Sequence, residues 1–397
     1  MSANIKANIA SLTRTIANLN TQTIVQITLA IIALIIFVVF IWIFNKAGLK
    51  DKSCTNLDNI YSNPTNESYF NGNNIIKPSA LALFDNSNST LINYHVKSAY
   101  NCCCGDEYKN NFVNICALEK CISNGCRFLD FEIYSYNNVP IVASSSANNN
   151  NIKETYNALL LSEVLTTIIT NAFDETKTIC ANDPLILNFR VMSENVIMLE
   201  KMGDLFEEHL DKSINSNFSL LVYKDASIKN IKMKYLFRKI IIICNFNSTP
   251  NIILNPKLVK LKKYINLLDK GLYCNTYRYQ DVKTKDGNAQ FIEETKTKFT
   301  IVLPDLDNTK TNFNSTSSFL NGCQAICMKH QADPKSDANL KFYNEYFEEV
   351  NRYSWRMKDM RIINAAPDAI ETSTGVSLDF SSTENTSDAV ANAILGN

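Results

Sequence analysis

The sequence predicts an α/β fold, a TIM-type (β/α)8 barrel preceded by one N-terminal transmembrane helix. Three observations carry that expectation. A charge-free run of 22 residues, 23–44, lies near the N-terminus. Further on, short β-branched and aromatic runs alternate with longer segments of helical spacing, the pattern of parallel βα units. The stretch that holds them, residues 81–362, has the length a (β/α)8 barrel needs, typically about 250 residues.

Residues 1–22 form a polar segment whose charges are Lys6 and Arg14. Residues 23–44 read TIVQITLAIIALIIFVVFIWIF, and from Ile27 onward only Thr28 is polar. At a helical rise of about 1.5 Å per residue this run covers roughly 30 Å, the thickness of a bilayer core. Trp42 stands where an interfacial aromatic anchors a span. A buried core helix is seldom apolar all round for this length. A cleaved signal peptide has a shorter apolar core and a small-residue cleavage site, where this chain has Asn45-Lys46. The expectation is a single-pass membrane protein that contacts a lipid bilayer through residues 23–44. Orientation stays open. Lys46, Lys50 and Lys52 after the span favour a cytosolic C-terminal side. Asn-X-Ser/Thr triplets at Asn66, Asn88, Asn217, Asn247, Asn314 and Asn385 would favour the other, but a chain with 52 Asn produces such triplets by chance.

Residues 45–80, rich in Asn, Ser and Asp, read as a stalk. The barrel stretch then offers the strand-like runs LINYHV, CRFLDFEIY, VPIVAS, PLILNFRVM, KIIIIC and FTIVLP. Ala158–Phe173 and Val196–Leu210 have helical spacing between them. Lys283–Lys298 is charged and reads as an exposed excursion. Residues 363–397 hold five acidic residues, no basic ones and many Ser, Thr and Ala, the composition of a disordered acidic tail.

Composition excludes several classes. With 39 basic and 39 acidic residues the net charge is zero, which removes the electrostatic case for a nucleic-acid partner. A hydrophobic share of 46% excludes a wholly disordered chain, and 10 Gly with 9 Pro exclude a collagen-like one. The 52 Asn and the 31 Lys against 8 Arg point to an AT-rich genome, such as that of a large DNA virus.

Ser98–Asn101, Gly125–Tyr134, Pro140–Ser145 and Pro184–Val191, followed by Asn312–Ser315, Leu320–Gln331 and Tyr353–Arg361, together resemble the phosphatidylinositol-specific phospholipase C family in its X and Y halves, over roughly residues 90–362. The family's "SSHN" segment has its likeness in Ser98-Ala99-Tyr100-Asn101, and "GCRxxELDxW" in the run from Gly125 to Tyr134. "PVVYHG" is similar to Pro140–Ser145, and "PVILSLEN" to Pro184–Val191. In the Y half, "NYNP…WNAGCQMVALNFQ" resembles Asn312–Ser315 together with Leu320–Gln331, and "YVLKPxFLR" resembles Tyr353–Arg361. The resemblance implies a barrel enzyme that cleaves phosphodiesters with two His as base and acid. It also implies a calcium ion held by Asn, Glu, Asp and Glu.

This chain departs from that pattern at most of those places. The two His positions hold Tyr100 and Ser144, and none of the three His, His95, His209 and His330, falls on either. A phenol of reference pKa near 10 is a poor base at neutral pH. Of the metal positions, Asn101 is kept, and Asp130 and Glu132 stand with the two acids exchanged, on one strand face by their i, i+2 spacing. The fourth holds Arg190, whose cation would repel calcium and could pair with Asp130 or Glu132 in its stead. Calcium therefore remains only as a weak or vestigial ligand of Asn101, Asp130 and Glu132. The family's substrate-contacting "RxYP" becomes Ile301-Val302-Leu303-Pro304.

Twelve Cys include the run Cys102-Cys103-Cys104, with Cys116, Cys121 and Cys126 beyond it at five-residue intervals. No CxxC pair supports zinc. The triple Cys is open to reading as buried thiols, a disulfide staple or a reactive nucleophile. Two functions are consistent with the whole pattern. One is a pseudoenzyme with a binding or structural role at a membrane or virion surface, toward a phospholipid headgroup or a protein partner. The other is a divergent phosphoric diester hydrolase that uses Arg190, Asp130, Glu132 and Tyr100. A third reading drops the family and keeps a membrane-tethered, Cys-rich α/β scaffold.

Overall fold

The computed structural model describes residues 20–61, 89–147, 152–211, 218–221, 224, 226–246, 250–348 and 354–358. The chain divides into two compact units, Met1–Lys52 and Ser53–Asn397. In the first, helix α1 begins at Thr21, and its apolar residues from Ile24 to Phe44 are exposed all round. It is the one helix among the described residues long and apolar enough to cross a membrane.

The expected stalk is partly corrected. Helix α1 runs without a break from Thr21 to Tyr61, so residues 45–61 are helical rather than irregular. From Ser53 they belong to the second unit, where Leu57 is buried, Asp58 pairs with Lys120 at 2.7 Å and Cys54 forms a disulfide with Cys116. Asn and Ser lower helix propensity by only a few tenths of a kcal/mol, and tertiary contacts override that here. The remainder of the stalk, 62–80, and the tail, 363–397, lie outside the described residues.

The second unit is a curled, largely parallel sheet wrapped by helices. Its elements in order are β1 (Tyr94–Ala99), α2 (Ile115–Ser123), β2 (Phe128–Tyr136), β3 (Val139–Ala143), β4 (Leu159–Leu160), α3 (Leu161–Asn171), β5 (Leu185–Val191) and α4 (Val196–Phe206). Then come β6 (Ser219–Leu220), α5 (Ala226–Asn230), β7 (Lys239–Phe246), α6 (Val259–Tyr264), β8 (Leu267–Leu268) and β9 (Cys274–Arg278). The last are α7 (Tyr279–Thr284), α8 (Ala289–Thr297), β10 (Phe299–Leu303), α9 (Thr316–Leu320), β11 (Ala325–Met328), α10 (Ala338–Glu348) and β12 (Trp355–Met357). Five of the six strand-like runs form strands along most of their length, LINYHV does so only from Tyr94 because Leu91–Asn93 form a 3-10 turn, and both helical segments form helices.

Neighbouring strands pair in parallel in the order β7, β5, β2, β1, β11, β10, β9, and β6 and β8 share the outer edge of β7. The short link 269–273 joins β8 to β9 and so bridges the two margins. Regular (β/α)8 symmetry is broken by antiparallel additions, β3 on β2, β4 on β3 and β12 on β1. β12 lies antiparallel on the first half of β1, with His95 opposite Arg356.

Strands buried on both faces read as continuous apolar runs, and Ile240–Ile243 of β7 are fully buried. The helices cover the sheet with one stripe each: Leu161, Val164, Leu165 and Ile168 in α3, and Met198, Leu199, Met202 and Phe206 in α4. The abundant Asn caps them, as Asn195 does for α4 by accepting from Ile197 and Met198 N–H. Gly203 lets α4 approach α6, since a Cβ there would stand 2.8 Å from the Leu261 nitrogen. The expected excursion at Lys283–Lys298 is corrected too. Most of it is helical, in α7 and α8, and Phe291, Ile292 and Thr295 are buried, because its charges occupy only the outer stripe.

Candidate functional site at the carboxyl end of the barrel strands

β2 and β5 pair in register, Asp130 beside Asn188 and Glu132 beside Arg190. Two-residue periodicity puts all four side chains on one face. β1 ends at Ala99, and beyond it Asn101 has φ +43°, a left-handed conformation Asn tolerates. That turn brings its amide and carboxamide to the same place. The structure thus brings Asn101, Asp130, Glu132 and Arg190 together.

The guanidinium sits among the acids. Arg190 Nε and Nη2 donate to the two oxygens of Asp130 at 2.9 and 2.8 Å. Nη1 donates to Glu132 Oε1 at 2.7 Å and Nη2 to Asn101 Oδ1 at 2.7 Å. Asp130 also accepts from Asn188 Nδ2 at 2.8 Å and from the Asn101 backbone N–H at 3.1 Å. Glu132 also accepts from Tyr134 Oη at 2.8 Å, the Ser145 N–H at 2.9 Å and Asn101 Nδ2 at 3.3 Å. Each carboxylate offers about four acceptor positions, and each has four donors. Arg190 is 5% exposed and Asp130 not at all, so solvent does not screen the pairing. Burial alone would pull the Arg190 guanidinium down, but Asp130, Tyr100 and Glu132 together hold it well above its ordinary range.

Calcium takes six to eight oxygen ligands. Here every carboxylate oxygen is engaged and a guanidinium stands among them, so the donor set does not fit that ion. Among the described residues no group of three or more His, Cys, Asp or Glu is arranged to hold a metal.

Tyr100 lies over this cluster, its ring centroid 4.8 Å from the Arg190 guanidinium carbon. Its hydroxyl accepts from Arg278 Nη1 at 3.4 Å. Burial raises its pKa above the ordinary phenol value, against the opposing pull of Arg190 and Arg278, so it stays protonated at neutral pH. Ser144 is fully buried and donates to the Tyr108 carbonyl at 3.1 Å. No imidazole reaches the cluster. His95 Nδ1 contacts the Cys323 carbonyl at 2.7 Å, and the ring packs edge-on against Phe319 and Tyr346. His330 Nε2 faces Cys126 Sγ and the Ser98 carbonyl, both at 3.3 Å, and burial, with Lys97 nearby, holds its pKa down to about 3. His209 stands 3.5 Å from Thr166 Oγ1 on the outer helices. Ile301 and Leu303 are buried core residues of β10.

The segment after Asn101 is tied down by contacts of its own. Cys104 bridges Val113, Gln331 Nε2 reaches the Asp106 carbonyl at 3.1 Å, and Lys310 pairs with Asp106 at 2.8 Å. The triple Cys is neither staple nor nucleophile here. Cys102, Cys103 and Cys104 are free and buried, and burial pushes all three thiols up, away from the reactive thiolate. The disulfide joins Cys54 to Cys116 instead.

Sequence reasoning missed Asn188, Tyr134, Ser145 and Arg278. The same i, i+2 alternation that selected Asp130 and Glu132 would have found Asn188 beside Arg190 and Tyr134 beside Glu132. Arg278 gave no signal, because β9, Cys-Asn-Thr-Tyr-Arg, does not read as a barrel strand.

No protein-family model matches the sequence, and no curated protein matches it. Solved structures do. PLC21 of L. pealei aligns with 70% of this chain at 14% identity and a TM-score of 0.53, and PLC21 of S. officinalis with 70% at 15% identity and 0.55. The barrel is phospholipase C-like. At these identities the likeness is one of fold, and the aligned part spans 38% of each of those longer chains.

Proposed function

We propose that this protein is a membrane-anchored phospholipase C-like barrel without phosphodiesterase activity, with a binding or structural role at a membrane or virion surface. The observation that carries this reading is the Arg190 guanidinium held between Asp130 and Glu132. It supplies internally the positive charge that a metal would bring, in a cluster with no open ligand position. Two neutral, buried hydroxyl side chains, Tyr100 and Ser144, stand at the positions the resemblance assigns to acid–base His, and a buried phenol of raised pKa has little capacity to deprotonate an alcohol. The apolar stretch of α1 supports single-pass attachment to a bilayer. Because the cluster is buried, a phospholipid headgroup or protein partner would be met on the outer surface rather than between β1, β2 and β5.

The test is hydrolysis of phosphatidylinositol vesicles by the full-length, detergent-solubilised protein, with calcium and with chelator. No turnover above the uncatalysed rate is expected in either condition. Calcium-dependent turnover would overturn the proposal. Turnover that survives the chelator and is lost in an Arg190→Ala protein shown to remain folded would support the divergent phosphodiesterase in its place.

A further inference from the structure

The opposite end of the barrel carries a charge concentration that the site does not use. Residues 224–239 hold six basic residues against one acidic, Asp225, in a chain whose net charge is zero. The structure sets residues 229–239 at the amino end of the strands. Lys239 opens β7, Lys232 bridges Thr90, the Leu91 N–H donates to the Ile231 carbonyl at 3.3 Å, and the Met233 N–H donates to the Ser89 carbonyl at 2.9 Å. Lys232 and Lys234 are exposed, and Lys229 and Lys239 are half-buried. The partners of Lys229 and Lys234 are the rings of Tyr273 and Tyr235, and that of Lys239 is the Ser219 hydroxyl, none of them anionic. Arg238 has Glu175 at 3.9 Å.

The chain beyond β12 sets out from the same end. β12 runs antiparallel to β1, so Met357 lies opposite Tyr94, the first residue of β1, and the Lys358 N–H donates to the Asn93 carbonyl at 2.9 Å. Two residues before Asn93, Leu91 joins the basic stretch through Ile231. The C-terminal residues 362–397 hold Asp368, Glu371, Asp379, Glu384 and Asp388 and no basic residue. We propose that this acidic tail docks within the same molecule on the basic face formed around Lys229, Lys232 and Lys234.

The charges are complementary, and the reach is sufficient. Asp368 lies ten residues beyond Lys358, a distance of up to ~35 Å for extended chain. Tethering gives the tail a local concentration in roughly the millimolar range, so weak exposed ion pairs suffice. Such contacts are screened by salt, which makes the tail a reversible cover that a competing anionic surface can displace. Docking of this kind requires no particular state of the barrel's catalytic chemistry.

The test measures acetylation rates of individual lysines in dilute full-length protein, read by peptide mass spectrometry. The comparison is a variant with the five tail acids changed to amides (Asp368→Asn, Glu371→Gln, Asp379→Asn, Glu384→Gln, Asp388→Asn). At about 50 mM salt, Lys229, Lys232 and Lys234 should react about threefold or more slowly in the natural sequence, and about 500 mM salt should abolish the difference. Carbodiimide should also join the tail acids to these lysines and leave Lys109 and Lys310, at the other end, unjoined. Equal rates in both proteins, or tail cross-links spread over both ends, would overturn the proposal. Protection that appears only with phosphatidylserine–phosphatidylcholine vesicles would assign the face to a lipid surface and overturn it as well.

Discussion

Arg190 supplies the positive charge of the buried cluster. Removing one partner of a buried ion pair leaves an uncompensated charge and costs about 3–5 kcal/mol, whereas removing all the charges together is often nearly neutral. Arg190→Met should therefore lower the midpoint of chemical unfolding strongly. The combination Arg190→Met, Asp130→Asn, Glu132→Gln should recover much of the loss, and a denaturant titration of the three proteins checks the order. Arg190→Lys should fall between, because an ammonium cannot reproduce the bidentate contact with Asp130. His330 makes a second residue-scale prediction. Its pKa in the fold, about 3, lies below the unfolded value near 6.5, so the unfolded chain binds the proton more readily between those values. Its contribution to stability is intact above about pH 6.5 and is lost as pH falls toward 3. Thermal unfolding measured from pH 7 to pH 4 should show a falling midpoint, and His330→Gln should flatten the slope. At this scale the sequence was legible where alternation applies, in Asp130, Glu132 and Arg190. Alternation puts Asn188 on the face of Arg190, but that it lies level with Asp130 depends on the register of β5 against β2, which one chain's sequence does not give.

Among the elements, α1 departs most from what the sequence suggested. Local composition marks 45–61 as irregular, and only the tertiary contacts of Leu57 and Cys54 explain why the helix continues. The disulfide closes a loop across a sequence separation of 62 residues, which corresponds to a stabilisation of about 2–4 kcal/mol. Cys116→Ser should lower unfolding stability by that order in non-reducing buffer, and a reductant should bring the unsubstituted protein to the same value. A variant as stable as the parent would remove the disulfide from this account. The strands divide on the same physical line. Runs such as Lys239–Phe246 are long, apolar and buried on both faces, and their composition declares them. β8, two residues, and β9, largely polar, owe their existence to pairing with β7 and β10 rather than to propensity. The antiparallel placement of β12 has no local signal, because pairing direction is a property of the assembled sheet.

For the whole molecule, fold and chemistry separate. A barrel similar in fold to PLC21 structures at 14–15% identity carries Tyr100, Ser144 and Arg190 at the carboxyl end of its strands. A fold supports many sites, so the barrel alone does not assign an activity. The length and alternation of its units made the architecture legible. The identity of Tyr100, Ser144 and Arg190 is what motivates the proposal that this site lacks phosphodiesterase chemistry. The burial of the cluster was not legible, because it rests on contacts such as Arg190 with Asn101, between residues far apart in the chain. The central claim is that a guanidinium has taken the place of a metal. Its most direct test is a calorimetric titration of the full-length protein with calcium at neutral pH. The account predicts no saturable heat into the millimolar range and no change in thermal midpoint. One-to-one binding that is lost in Asp130→Asn would contradict it.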